Sequence, residues 1–391
     1  MRLLVAGFLM SLLMSTGLSK ADAATSSTEV VIEAGVASNA HSANIAPDNG
    51  IVLAGDNWAT RSAWAVRTDW EGHPQWRIDI PSEDPQRTSA SGSKFNSSTI
   101  LQDGTTVLCG HIGVQRVAPQ PAFLVLVSAD GIKLKEKRLF PSGNEAFRVN
   151  DILKCIARNG GIITIGRAIK YRPINVMPRI DYFYWIAFHD TSGELKWERT
   201  LPIGIERLEQ IDSITATSDG HIVFCGEGAN QAEFVSIGID GAVSARLTLP
   251  GRYLLVQTAV DKEAVQILSR TIGKPWELLT LDSQLRVLHR TVSGRTLDTD
   301  VSAAWATTAE DILVFGEAIR DSVPKEATVV EANRALQSFS TLNVPSLADS
   351  HFIDAVAYSH TDRKFVMAHV YYRPNKSDSP IGTSLTFLQN N

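Results

Sequence analysis

A twelve-residue phrase, a polar turn followed by four apolar residues and a small one, recurs along this chain and constrains its fold more than any other feature. It reads Asn44–Gly55 (NIAPDNGIVLAG), Thr99–Gly110 (TILQDGTTVLCG), Cys155–Gly166 (CIARNGGIITIG) and Thr215–Gly226 (TATSDGHIVFCG). Looser copies follow at Thr258–Ser269, Trp305–Gly316 and Ala357–Ala368. The closing small residues, Gly55, Gly110, Gly166, Gly226, Ser269, Gly316 and Ala368, are spaced by 55, 56, 60, 43, 47 and 52 residues. Units of this size bury little alone and must stack on one another.

Each copy predicts the same local structure. DNG, QDG, NGG and SDG are tight hairpin turns, where Gly, Asn and Asp tolerate positive φ. The runs after them (IVLA, IITI, IVFC, ILVF) lack polar alternation, as strands covered on both faces do. A third strand follows (WAVRTD, FLVLVSAD, YWIAFHD, EFVSIGID), then a second turn and a fourth strand (QWRIDIP, LKEKRLFP, LKWERTLP, VSARLTLP). Four antiparallel strands in roughly 50 residues make one propeller blade. The expected fold is all-β, a seven-bladed β-propeller in one domain over residues 24–391. The run Thr28–Gly35 is expected to complete the last blade and close the ring, which removes free sheet edges.

The 391 residues carry 37 Lys plus Arg against 42 Asp plus Glu, a net charge of −5. Such a balance has no basic excess to attract a phosphate backbone, so nucleic acid is not an expected partner. Residues 1–23 read as a cleavable signal peptide: Arg2, an apolar run from Leu3 to Leu13, then the small residues Ala21 and Ala23. The run is too short for a permanent membrane span, and no later segment is long and apolar enough for one. Without a cysteine in the leader there is no lipid-anchor site, so a periplasmic or secreted location is expected. The three cysteines, Cys109, Cys155 and Cys225, lie in apolar runs and read as buried free thiols.

In two copies the second turn has the form D-x-x-G-x-x-x-W, at Asp69, Gly72 and Trp76 and at Asp190, Gly193 and Trp197. This resembles the tryptophan-docking repeat of PQQ-type β-propellers, and the wider rhythm of residues 28–391 is similar to exported bacterial propellers with DGG-type repeats. The resemblance implies blade structure, with Trp76 and Trp197 packing between blades. It carries over no quinoprotein catalytic residue, because no two cysteines are adjacent.

Blade connectivity puts the longer loops on one face, among them Arg167–Arg179, Tyr371–Gly382 and Pro81–Asn96. Rigid frames carry function on such loops. The residue directly after each closing small residue is Asp56, His111, Arg167, Glu227, Arg270, Glu317 or His369. Equivalent positions are expected to ring the axis near that face, either as a polar pocket or as inter-blade ion pairs. Tyr171, Arg172 and Arg179, with Tyr182, form a candidate protein-binding anchor, since such residues dominate binding hot spots. The other histidines, His41 among them, read as surface or satisfied groups. No GxSxG, HExxH or GxxxxGK[ST] motif is present.

Three functions are compatible with this reading. The first is a non-catalytic, monomeric propeller that binds a protein or peptide partner, needs no cofactor, and acts as an assembly scaffold or an inhibitor. The second is a hydrolase, lyase or lactonase that uses the acidic and histidine ring with Ca²⁺ or Zn²⁺. The third binds a carbohydrate or a redox cofactor.

Overall fold

The computed structural model describes residues 27–33, 38–83, 92–114, 119–142, 147–158, 160–172, 179–205, 208, 210–258, 264–308, 310–320, 323–342, 344, 350–359, 363–371 and 382–389. The leader 1–23 lies outside the described residues, as do the loop residues 84–91, 173–178 and 372–381.

The expected four-strand rhythm is present. An N-terminal strand, β1 (Ser27–Glu33), precedes β2 (Ser38–Ile45), β3 (Ile51–Asn57), β4 (Ser62–Thr68) and β5 (Pro74–Ile80). The second unit is β6 (Lys94–Ile100), β7 (Thr106–His111), β8 (Ala122–Val127) and β9 (Lys133–Leu139). The third is β10 (Phe147–Arg158), β11 (Gly161–Arg172), β12 (Arg179–Asp190) and β13 (Leu195–Pro202). The fourth is β14 (Gln210–Ala216), β15 (Ile222–Glu227), β16 (Gln231–Ile237) and β17 (Val243–Pro250). Next come β18 (Tyr253–Thr258), β19 (Val265–Ser269), β20 (Pro275–Leu281) and β21 (Val287–Thr296). They are followed by β22 (Thr299–Ala306), β23 (Asp311–Arg320), β24 (Val323–Asn333) and β25 (Phe339–Leu342). The chain closes with β26 (Ser350–Ser359), β27 (Lys364–Tyr371) and β28 (Gly382–Gln389).

Burial follows strand position. β4 and β8 are buried at every residue, because sheets cover them on both faces. The outer strands β5 and β9 alternate between exposed and less exposed positions, as a perimeter strand should. Apolar clusters fill the spaces between sheets, for example Leu108, Phe123 and Val125 against Val52, Ala54 and Trp76. The innermost strands β2, β6, β10, β14, β18, β22 and β26 together line a central cavity of about 370 Å³.

Hydrogen bonding corrects the expected number of blades. The ring contains five four-stranded blades, β2–β5, β6–β9, β10–β13, β14–β17 and the sheet β1-β28-β27-β26, and one eight-stranded sheet, not seven separate blades. The eight-stranded sheet arises where inner strands β18 and β22 pair in parallel, Gln257 with Trp305 and Thr258 with Ala306. The physical reason lies in β18. Every other inner strand, β22 included, carries a β-bulge opposite its second strand, a device that bends a free edge, so β18 alone presents an unbent one. β18 pairs with β19 without a shift, from Tyr253 opposite Ser269 to Val256 opposite Gln266, so its edge stays straight enough to join the next strand. At the other end of the chain, β1 pairs antiparallel with β28 and forms the outer strand of that sheet.

Trp76 and Trp197 dock on the neighbouring sheet. Each indole N–H donates to a turn carbonyl there, Ala129 and Ile239, both at 3.1 Å. A Cβ on Gly131 or Gly241, in the same turns, would lie 2.6 or 2.7 Å from the corresponding ring. Among the described residues, no helix is long and apolar enough to cross a membrane.

Candidate functional site

The inner-strand bulges set the geometry of the axial rim. A bulge places two residues of the inner strand opposite one of the second strand and re-aims the extra side chain. In β2 the extra residue is His41, in β6 Asn96, in β22 Ser302 and in β26 Asp354. Each stands three positions before its repeat phrase. Of these, His41 bonds to Asp56 of the ring read from the sequence, and Asp354 feels the charges of Asp56 and Glu317.

Asp56 accepts a hydrogen bond from His41 Nε2 at 2.5 Å. Burial works to raise the Asp56 carboxyl, but the His41 bond, the charge of Lys94 and the Trp58 side chain outweigh it and hold the group below the ordinary carboxylate range. Burial lowers His41, with Lys94 and Lys154 acting in the same sense, so His41 serves as a neutral N–H donor. His111 Nδ1 lies 3.0 Å from Asp151 Oδ1, which also accepts from Asn96 Nδ2 at 2.6 Å. Arg167 Nη2 is 4.0 Å from the other Asp151 oxygen. The burial of Asp151 is offset by His111, Arg167 and Lys94, which keep its carboxyl low.

A second knot of charge sits where the fourth blade meets the eight-stranded sheet. Glu227 is 1 % exposed and accepts from Arg252 Nε and from Arg270 Nη1, the latter at 3.2 Å. Arg270 Nη2 reaches Asp300 Oδ1 at 3.4 Å. Glu317 stands opposite Asp300 in the β22–β23 ladder. Burial and the Asp300 carboxylate, opposed by Arg270, push Glu317 up to about 7. Asp354 is also pushed up to about 7, by burial and by Asp56 and Glu317, against the Ala40 N–H and Lys94.

Six of the ring residues read from sequence therefore reach the rim, and His369 does not. It is fully buried, bonded to Thr386 Oγ1 at 2.9 Å, and lowered to about 4 by burial. The cause is a one-residue slip. In the first unit Ile45 pairs with Ile51, whereas in the last Ser359 pairs with Lys364, a hairpin one residue tighter. Slipping an antiparallel register by one reverses which face a side chain occupies. Phe365 and Met367 accordingly pack back on Leu313 and Phe315, although their counterparts Val52 and Ala54 pack forward on Leu108. His369 continues the backward-facing row. For Tyr171, Arg172 and Arg179, only the backbone lies within the description, where Tyr171 pairs with Ile180 and Arg172 with Arg179.

His41, Lys94, Asp151, Asp300 and Asp354 are rim residues the phrase alone does not mark. The position three before each phrase would have marked His41 and Asp354, both of which line the cavity.

The rim donors do not gather as a metal site does. Among the described residues, the group of three or more ligating side chains with donors within 4.8 Å of one another is Asp69, Glu71 and His73, in the exposed β4–β5 turn. Most rim carboxylates instead pair with cations or imidazoles.

Asp354 makes a pH prediction. Its carboxyl holds a proton up to about pH 7 when folded but releases it near 3.8 in the unfolded chain. The folded state thus binds more protons between these values, and stability falls as pH rises through that window. Glu317 acts in the same sense between 4.5 and about 7. His369 acts oppositely, lowering stability as pH falls from 6.5 toward 4. Because His369 is common to both proteins, Asp354→Asn should melt above the parent by a margin that widens from pH 5 to pH 8. Scanning calorimetry at the two pH values checks this, and a constant margin contradicts it.

No protein-family model matches the chain, and no curated protein matches its sequence. Solved structures do match its shape. The Dos1 propeller aligns over 90 % of this chain and 78 % of its own, with a TM-score of 0.54 at 10 % identity. YCF48 bound to D1 peptide aligns over 94 % and 96 %, with a TM-score of 0.53 at 11 % identity. NanB sialidase from Streptococcus pneumoniae aligns over 92 % and 70 %, with a TM-score of 0.50 at 11 % identity. At such identities the likeness reports architecture and not chemistry. The chain is a β-propeller.

Proposed function

We propose that this protein is an exported, non-catalytic propeller that binds a protein or peptide partner across the rim around its axial cavity. The observation that carries the reading is the pairing within the rim. Asp56 with His41, Asp151 with His111, and Glu227 with Arg252 and Arg270 hold one another in place and leave few groups free for bond chemistry. Beside Asp56 stands Trp58, 51 % exposed. An exposed tryptophan framed by fixed charges has the make-up of a binding hot spot. YCF48, a propeller of similar fold, has been solved bound to a peptide, which supports the reading.

A photo-crosslinking amino acid placed at Trp58, in cells exporting the chain, tests the reading. The same substitution at Leu134, 56 % exposed on outer strand β9, is the control. A discrete protein adduct is expected from position 58 and not from position 134. Equal labelling at both, or no adduct at 58, overturns the proposal.

A further inference from the structure

Resting on the rim-binding reading, we infer that the cavity end beside β2 and β26 is a site for one cationic side chain of the partner, an arginine or lysine. Asp354 lines the cavity, and its Oδ2 is buried without a hydrogen-bond partner. Such an oxygen is costly to leave unsatisfied, and a bound N–H group is the direct remedy. The charges of Asp56 and Glu317 act on Asp354 in the same sense.

Lys154, on β10, lines the cavity and acts on His41. Lys94, on β6, is the cation that acts on Asp354, and it also acts on Asp56 and Asp151. His41, on β2, is committed to Asp56. Arg270, the cation that acts on Glu317, is bonded to Glu227 and Asp300. A visiting cation would therefore meet the unsatisfied Oδ2 of Asp354, on which Lys94 acts.

The shape of the site selects the kind of cation. The oxygens of Asp56, Glu317 and Asp354 are not among the groups whose donors gather within 4.8 Å, so they are too spread for one metal ion. A guanidinium or ammonium fans several N–H donors outward and suits dispersed acceptors. A cavity of about 370 Å³ lies at the small end of ligand pockets, room for a single extended side chain rather than a folded segment.

The test uses the mature full chain and a blocked Gly-Arg-Gly peptide, with its citrulline counterpart as the neutral isostere. Calorimetric titration at pH 8 should show the arginine peptide binding with a dissociation constant on the order of 1 mM, and no heat from citrulline. Asp354→Asn, which keeps shape and removes charge, should weaken binding about tenfold or more. Lowering the pH to 5.5, where Asp354 and Glu317 are protonated, should weaken it similarly. Equal binding of the two peptides, an unchanged affinity in Asp354→Asn, or tighter binding of Ca²⁺ than of the arginine peptide each overturns the inference. Adducts at position 58 with an unchanged Asp354→Asn affinity would leave the rim reading standing and remove only this one. Arginine binding without adducts would do the reverse.

Discussion

Gly110→Ala should destabilise the protein by more than about 3 kcal/mol, and Gly110→Val should abolish soluble protein altogether. An ideal Cβ on Gly110 would lie 1.8 Å from the backbone oxygen of Lys94. The same holds for Gly55 against Asn39 at 1.8 Å and Gly166 against Asp151 at 2.0 Å. These glycines have no unusual φ; the demand is steric, imposed by the inner-strand bulge that pushes a carbonyl over the second strand. A backbone oxygen held in a ladder does not swing aside as a surface side chain does, so a methyl at Gly110 forces this bulge to shift, whereas the β26 bulge is built differently and carries His369 at the matching place. Two controls isolate the cause. Ser269 occupies the same repeat position opposite Tyr253, where no bulge exists, so Ser269→Ala should stay within about 0.5 kcal/mol of the parent. Gly160 has φ +73° with nothing within 4 Å of its would-be Cβ, so Gly160→Ala should cost only about 1 kcal/mol of backbone strain. Urea denaturation followed by tryptophan fluorescence ranks the three variants. If Gly110→Ala unfolds at the same urea concentration as Ser269→Ala, the bulge is not what selects glycine.

This pattern also explains what the sequence made legible. At Gly55, Gly110, Gly166 and Gly316 the phrase ends in glycine because a bulge carbonyl leaves no room for a Cβ, so those glycines announced a strand, a hairpin and an inner edge together. Turns such as QDG and SDG likewise fixed hairpins, with Gly104 at φ +84° and Gly220 at φ +93°. What stayed hidden depends on register. The division into five blades and an eight-stranded sheet turns on whether β18 bulges, and Ser269 in place of Gly was the one local hint. His369 shares the phrase position of Asp56, yet a hairpin one residue tighter turns it inward. The rim partners Lys94, Asp151 and Asp300 are set by pairing across strands, which a repeat aligned within one strand does not display.

The second large effect is expected at Glu227. This carboxylate is 1 % exposed and is held by Arg252 and Arg270, while Asp300, about a third exposed, takes the remaining reach of both arginines at 4.0 and 3.4 Å. Glu227→Ala leaves two guanidiniums beside each other at a half-dry junction with one outlying carboxylate between them. Removing one member of a buried ion pair costs about 3–5 kcal/mol, because the abandoned charge stays desolvated. Glu227→Gln, which keeps an acceptor but not the charge, should fall between the parent and alanine. Removing a guanidinium together with the carboxylate should restore part of the loss, so Glu227→Ala with Arg270→Met is expected to cost less than the two singles added. The exposed pair Arg138–Glu83 provides the contrast: Glu83→Ala should cost less than about 1 kcal/mol and lose even that effect in 1 M salt, whereas the Glu227 effect should persist. Because this knot ties β15 to β18 and β22, its loss should also loosen the seam where the fourth blade meets the double sheet. Faster amide exchange in Tyr253–Thr258 than in Lys94–Ile100 would report that loosening. A Glu227→Ala protein as stable as Glu83→Ala would mean that the rim charges are ornament on a frame held by its apolar clusters alone.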